Sequence, residues 1–322
     1  MSHCVGVASG PAALVLTLRA CGIGPGDEVI VPAHTFANSA LAVVKAGATP
    51  VLCDVEDRTG LIDPDAASAA VGPRTAAIVA VHLYGQMCDM GSLETIAKAH
   101  GLVVLEEGSQ APGARYRGRR AGSIGAAAAF SFQQTKRLGA LCDGGAVCTG
   151  DAGLAARLRR LRETSQREDD RGRNQRLDGF QAALLRVKLA RLDHWAEARR
   201  AHAARYRALL APEVRCVEER PYSPSVYHLF PARFESRDAV AAVLRAHQVG
   251  TAVHYSPTVC HHRALREGNE RCCDVPVAEA WGAEELSLPM HPGLQLQEIE
   301  HVVAAVHAAV DRVGTSVTAC AA

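Results

Sequence analysis

An alternation of predicted strands and helices between residues 28 and 105 is the feature that most restricts the possible folds of this chain. Short apolar runs bounded by turn residues predict strands, and segments with helical periodicity predict the helices between them. Such alternation predicts an α/β layer with a mostly parallel sheet. The predicted strands are 28–31, 49–55, 76–81 and 102–105, and the predicted helices are 35–46, 63–71 and 92–100.

The residues that follow these strands carry reactive or polar side chains. In open α/β sheets, ligands bind outside the carboxyl ends of the strands. Polar groups cost free energy inside a core unless they are paired, so convergence on one crevice is a more economical explanation than several separate exceptions. His82 fits a core histidine with satisfied hydrogen bonds equally well. The side chains at these strand ends include Phe36, His82, Tyr84, Glu106, Glu107, Ser131 and Lys136.

Lys136 follows a short predicted strand, 127–132, and precedes a glycine-rich turn. No ionisable side chain occurs from Ser123 to Thr135, so the strand brings a single amine to the edge of an apolar core. Burial lowers the pKa of an amine, and a lysine that forms a Schiff base with an aldehyde requires this shift. On position alone, an ordinary solvated lysine is the simpler interpretation, and the neighbouring residues must support a catalytic one.

A predicted helix begins at Ser9-Gly10-Pro11-Ala12 and extends to about Cys21. Serine is a good N-cap, and proline is tolerated in the first helical turn. Because the N-terminus of a helix presents unpaired N–H groups and a partial positive charge, it can bind an anion. Taken alone, an ordinary capped helix is the simpler interpretation.

The composition excludes several classes of protein. The 322 residues suffice for two domains with substantial cores. A formal net charge of +1 gives no electrostatic reason to expect nucleic acid or a membrane surface as a partner. No apolar run reaches the roughly 18 residues that a membrane span requires.

Cysteine usage indicates a reducing compartment. The 11 cysteines include no CxxC pair, so we predict free thiols and a cytoplasmic location. The segment Cys260-His261-His262 and the pair Cys272-Cys273 contain metal-binding residue types, but their spacing is irregular. We therefore predict a surface loop there and no metal site.

The second half of the chain contains a predicted connector and a smaller unit. A long helical stretch, 177–210, suits a connector because Leu185, Leu189 and Leu192 share one face. An exposed loop is predicted over 165–176 and a frayed tail over 314–322. We predict a large α/β domain over 1–205 and a small α+β domain over 206–322. The latter has predicted strands at 226–234, 251–255 and 284–289 and helices at 236–247 and 298–313.

Several motifs together resemble the DegT/DnrJ/EryC1/StrS aminotransferases, which are pyridoxal-phosphate (PLP) enzymes that make amino sugars and aminocyclitols. The resemblance implies a type I aminotransferase fold and a homodimer whose active sites lie at the subunit interface. The motifs are SGPAAL (9–14), GDEVIVPAHTFANSALAVVKAGATPV (26–51), VHLYGQMCDM (81–90), EEGSQAPGARYRGRRAGSIG (106–125), FSFQQTK (130–136), DGGAV (143–147), NQRLDGFQAALLRVKL (174–189) and LSLPMHPGL (286–294).

The resemblance also implies individual roles. Lys136 matches the lysine that binds the cofactor covalently, and Glu107 stands where an aspartate pairs with the pyridinium nitrogen. The other matching positions are Gln110 beside the phenolic oxygen, Phe36 stacked on the ring, Ser131 with Gly10 and Ala12 at the phosphate, Asn174 supplied by the neighbouring subunit, and His254 with Tyr255 at the substrate pocket.

The sequence departs from the family pattern at several positions. The chain begins near the phosphate-binding helix, where relatives carry a further N-terminal segment, so that segment is expected to be missing. Glu107 is longer than the usual aspartate by one C–C bond, about 1.5 Å. Pro11 replaces a threonine and removes one hydroxyl and one N–H from the phosphate site. Pro112 and Ala126 replace a histidine and an aspartate.

Two functions follow from these features. The first is a PLP-dependent aminotransferase that moves an amino group from glutamate or glutamine to a keto group of a nucleotide-linked sugar or a cyclitol. A lysine at position 136 argues against the related dehydratases, which carry histidine there. The alternative is a catalytically weak homologue that acts as a dimer partner or scaffold, suggested by Glu107, Pro11 and the missing N-terminal segment.

Overall fold

The computed structural model describes residues 1–163, 174–265 and 271–314. The predicted exposed loop at 165–176 and the predicted tail at 314–322 lie almost wholly outside the described residues. Cys320 also lies outside the described residues.

An eight-stranded sheet forms the centre of the larger unit, in the order β1-β9-β8-β5-β4-β2-β3-β12. The six strands from β8 to β12 in this order run parallel, whereas β9 pairs antiparallel with β8, and β1 pairs antiparallel with β9. The prediction of a mostly parallel sheet is therefore confirmed. The strands are β1 (His3–Val7), β2 (Glu28–Pro32), β3 (Thr49–Cys53), β4 (Thr75–Val81), β5 (Val103–Glu107), β8 (Ala127–Ser131), β9 (Gly145–Thr149) and β12 (Arg271–Cys272), with a separate hairpin of β6 (Arg115–Tyr116) and β7 (Arg119–Arg120).

Helices cover both faces of this sheet, as the apolar character of the strands requires. The N-cap of α1 is Ser9, whose hydroxyl oxygen accepts the Ala12 N–H at 3.3 Å. This confirms the predicted helix start. The helices are α1 (Gly10–Ala20), α2 (Asn38–Ala46), α3 (Pro64–Ala69), α4 (Met90–His100), α5 (Ala152–Arg162), α6 (Gly179–Leu189), α7 (Leu192–Leu209), α8 (Arg237–Ala246), α9 (Pro276–Glu284) and α10 (Leu296–Val313).

Several features of the large unit differ from the sequence-based expectation, and two of them concern the surroundings of the glycine-rich turn and the predicted connector. Strands β1 and β9 were not predicted; β9 begins inside the glycine-rich run, where a Cβ on Gly145 would lie 2.5 Å from the Ser9 carbonyl oxygen. The single long helix predicted over 177–210 is two helices, α6 and α7. The break lets Leu185 and Leu192 pack in one small cluster, whereas Leu189 is 54% exposed.

A three-stranded antiparallel sheet of β10 (Arg215–Cys216), β11 (Phe230–Arg233) and β13 (Glu285–Leu288) forms the smaller unit. It has its own apolar core, which includes side chains of α8 and α10. The strand predicted over 251–255 is wrong: only an isolated bridge joins Ala252 to Ser287. The backbone N–H of His254 donates to the side chain of Glu285 and not to the backbone of a neighbouring strand.

Several residues of the predicted small domain belong instead to the core of the larger unit, including Val259, Leu265, Val275, Ala278 and Trp281. Strand β12 pairs with β3 at the edge of the large sheet. The boundary between residues 205 and 206 itself stays a prediction.

One pair of cysteines corrects the expectation of free thiols. Cys260 and Cys272 form a disulfide, because the pairing of β12 with β3 brings these two residues to a Cα–Cα distance of 6.1 Å. The other cysteines of the described ranges have free thiols. Among the helices that the structure describes, none is long and apolar enough to cross a membrane.

Candidate active site

A cavity of about 540 Å³ opens at the carboxyl ends of β4, β5 and β8 and at the start of α1. Eight of the ten predicted site residues line it, drawn from both halves of the chain. The predicted crevice at the strand ends therefore exists. These residues are Gly10, Phe36, Glu107, Gln110, Ser131, Lys136, His254 and Tyr255.

Ala12 and Asn174 lie outside this cavity. The Ala12 N–H is used by Ser9, its own helix cap. Asn174 is exposed, and its side-chain oxygen accepts from Arg176 at 3.4 Å. The role expected of Asn174 concerns the site of a neighbouring subunit and stays a prediction.

Lys136 lies in the turn after β8, where its backbone N–H donates to the Gln133 carbonyl oxygen at 2.8 Å. Burial lowers the pKa of the Lys136 amine, although attraction to the Glu107 carboxylate opposes this shift. Desolvation therefore outweighs the nearby negative charge. The result is an amine that loses its proton more readily than an exposed lysine, as the isolated position of Lys136 in the sequence predicts.

Glu107 ends β5 and faces the same cavity. Its Oε1 accepts the Ser109 N–H at 3.2 Å and also the Ser109 hydroxyl, so the carboxylate is anchored by the turn that follows it. Gly108 leaves no free space beside Glu107. A Cβ at Gly108 would lie 2.5 Å from the Phe130 ring, so glycine is required here by the packing of Phe130.

The start of α1 and the end of β8 form the end of the cavity suited to an anion. A Cβ on Gly10 would lie 2.5 Å from the Ser131 Cβ, so only glycine permits this approach. Ser131 Oγ accepts the Gln133 N–H at 3.3 Å, which leaves the hydroxyl hydrogen available to a ligand. Pro11 contributes no N–H, so Gly10 and Ser131 are the donors of this end that the sequence analysis identified.

Two aromatic side chains form an aromatic wall of the cavity. The rings of Phe36 and Tyr255 have centroids 5.3 Å apart and are tilted by 42°. Gln110 donates from Nε2 to the Tyr255 hydroxyl at 2.9 Å, while its Oε1 accepts the Tyr84 N–H at 2.6 Å. Gln110 therefore joins the small-unit side of the cavity to the large sheet.

Three residues hold His254 in place, of which only Tyr84 was among the strand-end residues expected at the crevice. The Tyr84 hydroxyl donates to the His254 carbonyl oxygen at 2.6 Å. Ser287 and Glu285 contact the His254 ring and backbone from β13. The motif that contains Ser287 was visible in the sequence, but nothing local indicated that it would contact a segment more than 30 residues away.

His82 and Glu106 also follow predicted strands, yet they do not reach the cavity. His82 Nε2 lies 3.0 Å from Glu106 Oε2, and both side chains are fully buried. Glu106 accepts three backbone N–H groups as well, from Gly122, Ile124 and Gly125. The expected convergence of all strand ends is thus wrong for this pair, and His82 is a core histidine with satisfied hydrogen bonds.

The residues of the cavity fit PLP in their chemistry. An amine with a lowered pKa, a carboxylate, an anion-binding helix start and an aromatic wall lie around one space. Within the described ranges, no group of three or more metal-ligating side chains occurs, and Cys260 and Cys272 are engaged in a disulfide.

Comparisons with known proteins agree with this arrangement. The model of the DegT/DnrJ/EryC1/StrS aminotransferase family matches residues 1–307. The erythromycin biosynthesis sensory transduction protein EryC1 of Saccharopolyspora erythraea is 45% identical, with 95% of this chain and 86% of that protein covered. The dTDP-3-amino-3,4,6-trideoxy-alpha-D-glucose transaminase of Streptomyces venezuelae is 44% identical, with 97% and 84% covered. The crystal structure of S. venezuelae DesV superimposes with a TM-score of 0.91 at 44% identity, covering 96% of this chain and 85% of that one.

Proposed function

This chain belongs to the DegT/DnrJ/EryC1/StrS aminotransferase family, and from that membership we propose that it transfers an amino group from glutamate or glutamine to a keto group of a nucleotide-linked sugar. The chain is an aminotransferase with the type I fold. We also propose that the chain uses PLP as its cofactor, that the cavity is its active site and that it acts in the cytoplasm. The name of the S. venezuelae relative supports a sugar over a cyclitol, because that relative is a transaminase of a dTDP-linked amino sugar.

The presence of Lys136 and Glu107 in the lining of one cavity is the observation that carries this proposal. The two side chains line one cavity, and the pKa of Lys136 responds to the charge of Glu107. The alternative, a catalytically weak dimer partner or scaffold, receives no support from the three relatives at 40–44% identity that are named as sugar transaminases or aminotransferases.

PLP, when bound, supplies an electron sink for the charge that develops on the carbon that loses its proton. Glu107 would stabilise the protonated ring nitrogen through its opposite charge. Gly10 and Ser131 would bind the phosphate at the start of α1, where the helix dipole favours an anion. Phe36 would pack against the ring.

Lys136 would also move the proton during the reaction. Its Nζ, when neutral, can take the α-proton of the amino donor and return a proton to the carbon of the acceptor. The lowered pKa of Lys136 brings its neutral form closer to physiological pH and thereby increases the fraction of competent base.

An exposed apolar surface beside this site supports a homodimer. Phe180 and Val187 are 67% and 70% exposed and lie seven residues apart on one face of α6. Gln181 accepts the backbone N–H of Leu141, which itself is 60% exposed in the turn that follows Lys136. Monomeric surfaces rarely expose such clusters, so a second copy of the chain that covers this face and supplies Asn174 is part of the proposal.

Reconstitution with PLP tests the proposal. We expect the wild-type protein to take up PLP with visible absorbance, and borohydride reduction followed by peptide mass analysis to locate the cofactor on Lys136. Lys136→Ala should lose the covalent adduct and the transfer of amino groups to keto-sugar nucleotides. Lys98→Ala, which removes an exposed lysine of α4, is the matched control and should behave as the wild type.

A colourless wild-type protein that binds no PLP would contradict the proposal. So would a reduced adduct on a lysine other than Lys136. Equal activity of the wild type on keto-cyclitols and keto-sugar nucleotides would contradict the preference for a sugar.

A further inference from the structure

A chain of hydrogen bonds joins the buried carboxyl group of Glu285 to the ring of His254. Ser287 Oγ lies 2.5 Å from Glu285 Oε1, and His254 Nδ1 lies 2.9 Å from Ser287 Oγ. The second carboxyl oxygen, Oε2, accepts the backbone N–H of His254 at 2.5 Å. One oxygen of the buried carboxyl group therefore bonds the backbone of His254 directly, and the other is linked to its ring through Ser287.

The direction of these bonds determines where the proton of the His254 ring lies. A serine hydroxyl has one hydrogen to donate, and an ionised carboxylate only accepts. With Glu285 ionised, Ser287 gives its hydrogen to Glu285 and must accept a hydrogen bond from His254 Nδ1. His254 then carries its proton on Nδ1, and Nε2 is an unprotonated acceptor.

This unprotonated nitrogen belongs to a residue that lines the active-site cavity. Nδ1 faces Ser287, so Nε2 lies on the opposite edge of the ring, and within the described part of the chain Nε2 has no hydrogen-bond partner. Burial and the nearby charge of Lys136 lower the pKa of His254 to about 4. The ring is therefore neutral at physiological pH, and while Glu285 is ionised Nε2 can only accept.

We propose that Glu285, when ionised, and Ser287 position His254 so that its Nε2 accepts a hydrogen bond from a hydroxyl group of the sugar acceptor. This inference rests on the proposed function, since it assigns a role toward the sugar. A hydroxyl group supplies the O–H that an unprotonated Nε2 can accept, and a sugar carries several such groups. His254 is the residue that contacts the substrate, whereas Glu285 and Ser287 act through it.

The substitution Glu285→Gln should reverse the chain of hydrogen bonds. The backbone N–H of His254 can only donate, so the amide oxygen of the glutamine must face it. The amide NH₂ then faces Ser287 and donates to its oxygen, and the Ser287 hydroxyl turns to donate to His254 Nδ1. The ring proton consequently moves to Nε2, which changes an acceptor in the cavity into a donor without altering the shape of the side chains.

Protonation of Glu285 should have the same effect as this substitution. Burial raises the pKa of Glu285 to about 8, so its proton is lost in an accessible pH range. The titratable and charged groups that face Glu285 from the surrounding elements are Arg233 of β11, Arg237 of α8, Glu284 of α9, Tyr84, His254 and Tyr255.

Nitrogen NMR of the full-length protein with ¹⁵N-labelled histidine tests the relay, and His254→Gln identifies the signal. In the wild type, we expect the form with the proton on Nδ1 to increase as pH rises through about 8. Glu285→Gln should show the proton on Nε2 at every pH above 6. Glu284→Gln, whose carboxylate pairs with Arg233, is the matched control and should follow the wild type. A proton on Nε2 in the wild type at pH 9 would overturn the inference.

Calorimetric binding of dTDP-glucose, UDP-glucose and the two free diphosphates then tests the ligand. At pH 9, His254→Phe, which removes Nε2, should weaken binding of the better sugar nucleotide about 3- to 10-fold, the contribution of one hydrogen bond. Its effect on the corresponding diphosphate should be negligible. Equal weakening of sugar nucleotide and diphosphate would overturn the assignment, as would absence of binding of both sugar nucleotides to the wild type. These readouts do not require PLP, so a failure of PLP uptake would refute the proposed function while leaving the proton position on His254 measurable.

Discussion

Two fully buried glutamates, Glu106 in the large sheet and Glu285 in the small one, each contact a histidine, yet their pKa values shift in opposite directions. Burial acts on both and alone would raise both values. At Glu106, the hydrogen bond and charge of His82 and backbone N–H groups outweigh burial and lower the pKa. At Glu285, burial prevails and raises the pKa to about 8.

The difference lies in the number of donors that each carboxyl group receives. Glu106 accepts from His82 and from three backbone N–H groups, so four donors replace the water that it has lost. Glu285 accepts one backbone N–H and one hydroxyl. A buried carboxylate stays charged when enough fixed dipoles point at it, and with fewer it becomes a group that titrates near neutral pH. The first arrangement suits a structural anchor, and the second suits a residue that controls a neighbour.

Removal of each carboxyl group should reduce the free energy of unfolding by an amount that reflects its number of donors. Glu106→Ala leaves four buried donors without an acceptor, and we expect it to reduce the free energy of unfolding by about 3–5 kcal/mol. Glu285→Ala leaves two and should cost about 1–3 kcal/mol. Urea unfolding at pH 7, at one fixed protein concentration, measures both. Equal losses would show that the number of donors does not distinguish the two sites.

The side of the cavity that contains Lys136 and Glu107 could be predicted from the sequence. Each of these residues follows a strand of the parallel sheet, and the alternation of elements alone places such strand ends together. The absence of other ionisable residues before Lys136 also indicated its buried position. Local pattern and global topology agree here, so sequence reasoning succeeds.

The side that contains His254 could not be predicted to the same depth. Residues 251–255 have the composition of a strand, but the backbone N–H of His254 is bonded to a side chain 31 residues away. Likewise, Glu285 lies inside an apolar strand, where a carboxyl group without partners would be unfavourable. No local pattern in the sequence shows that His254 and Ser287 provide those partners. Hydrogen bonds between a side chain and a distant backbone group leave no periodic pattern in the sequence. Sequence reasoning detects only such periodic patterns and spacings.

The pH dependence of stability should separate the two carboxyl groups further. Because the folded-state pKa of Glu285 is raised from 4.5 to about 8, the folded protein binds more protons than the unfolded chain between these values. Its contribution to stability is therefore complete below the unfolded pKa and is lost as pH rises toward 8, by about 1.4 kcal/mol per pH unit. Glu106 has the opposite sign: its contribution is present above its unfolded pKa and is lost only at lower pH.

Urea unfolding of the wild type and of Glu285→Gln at pH 6 and pH 8 measures this effect. Glutamine does not titrate, so the variant should gain about 2–3 kcal/mol relative to the wild type between the two pH values. Since Glu106 is ionised in both states throughout this range, it contributes nothing to the difference. A constant gap between the two proteins would mean that Glu285 is already ionised at pH 6, and that two donors suffice to keep a buried carboxylate charged.

The smallest expected effect comes from a pair of glycine substitutions. These substitutions test whether the donors to Glu106 are held rigidly. Gly125 donates its N–H to Glu106, and a Cβ there would lie 2.6 Å from the Val104 carbonyl oxygen. The backbone must shift to admit it, so Gly125→Ala should cost about 1–2 kcal/mol in urea unfolding. Gly250, four residues before His254, has open space around its Cβ position, and Gly250→Ala should be neutral or slightly stabilising. If Gly125→Ala proved equally harmless, the loop that surrounds Glu106 would be able to yield, and a fixed set of dipoles could not explain why that carboxylate remains charged.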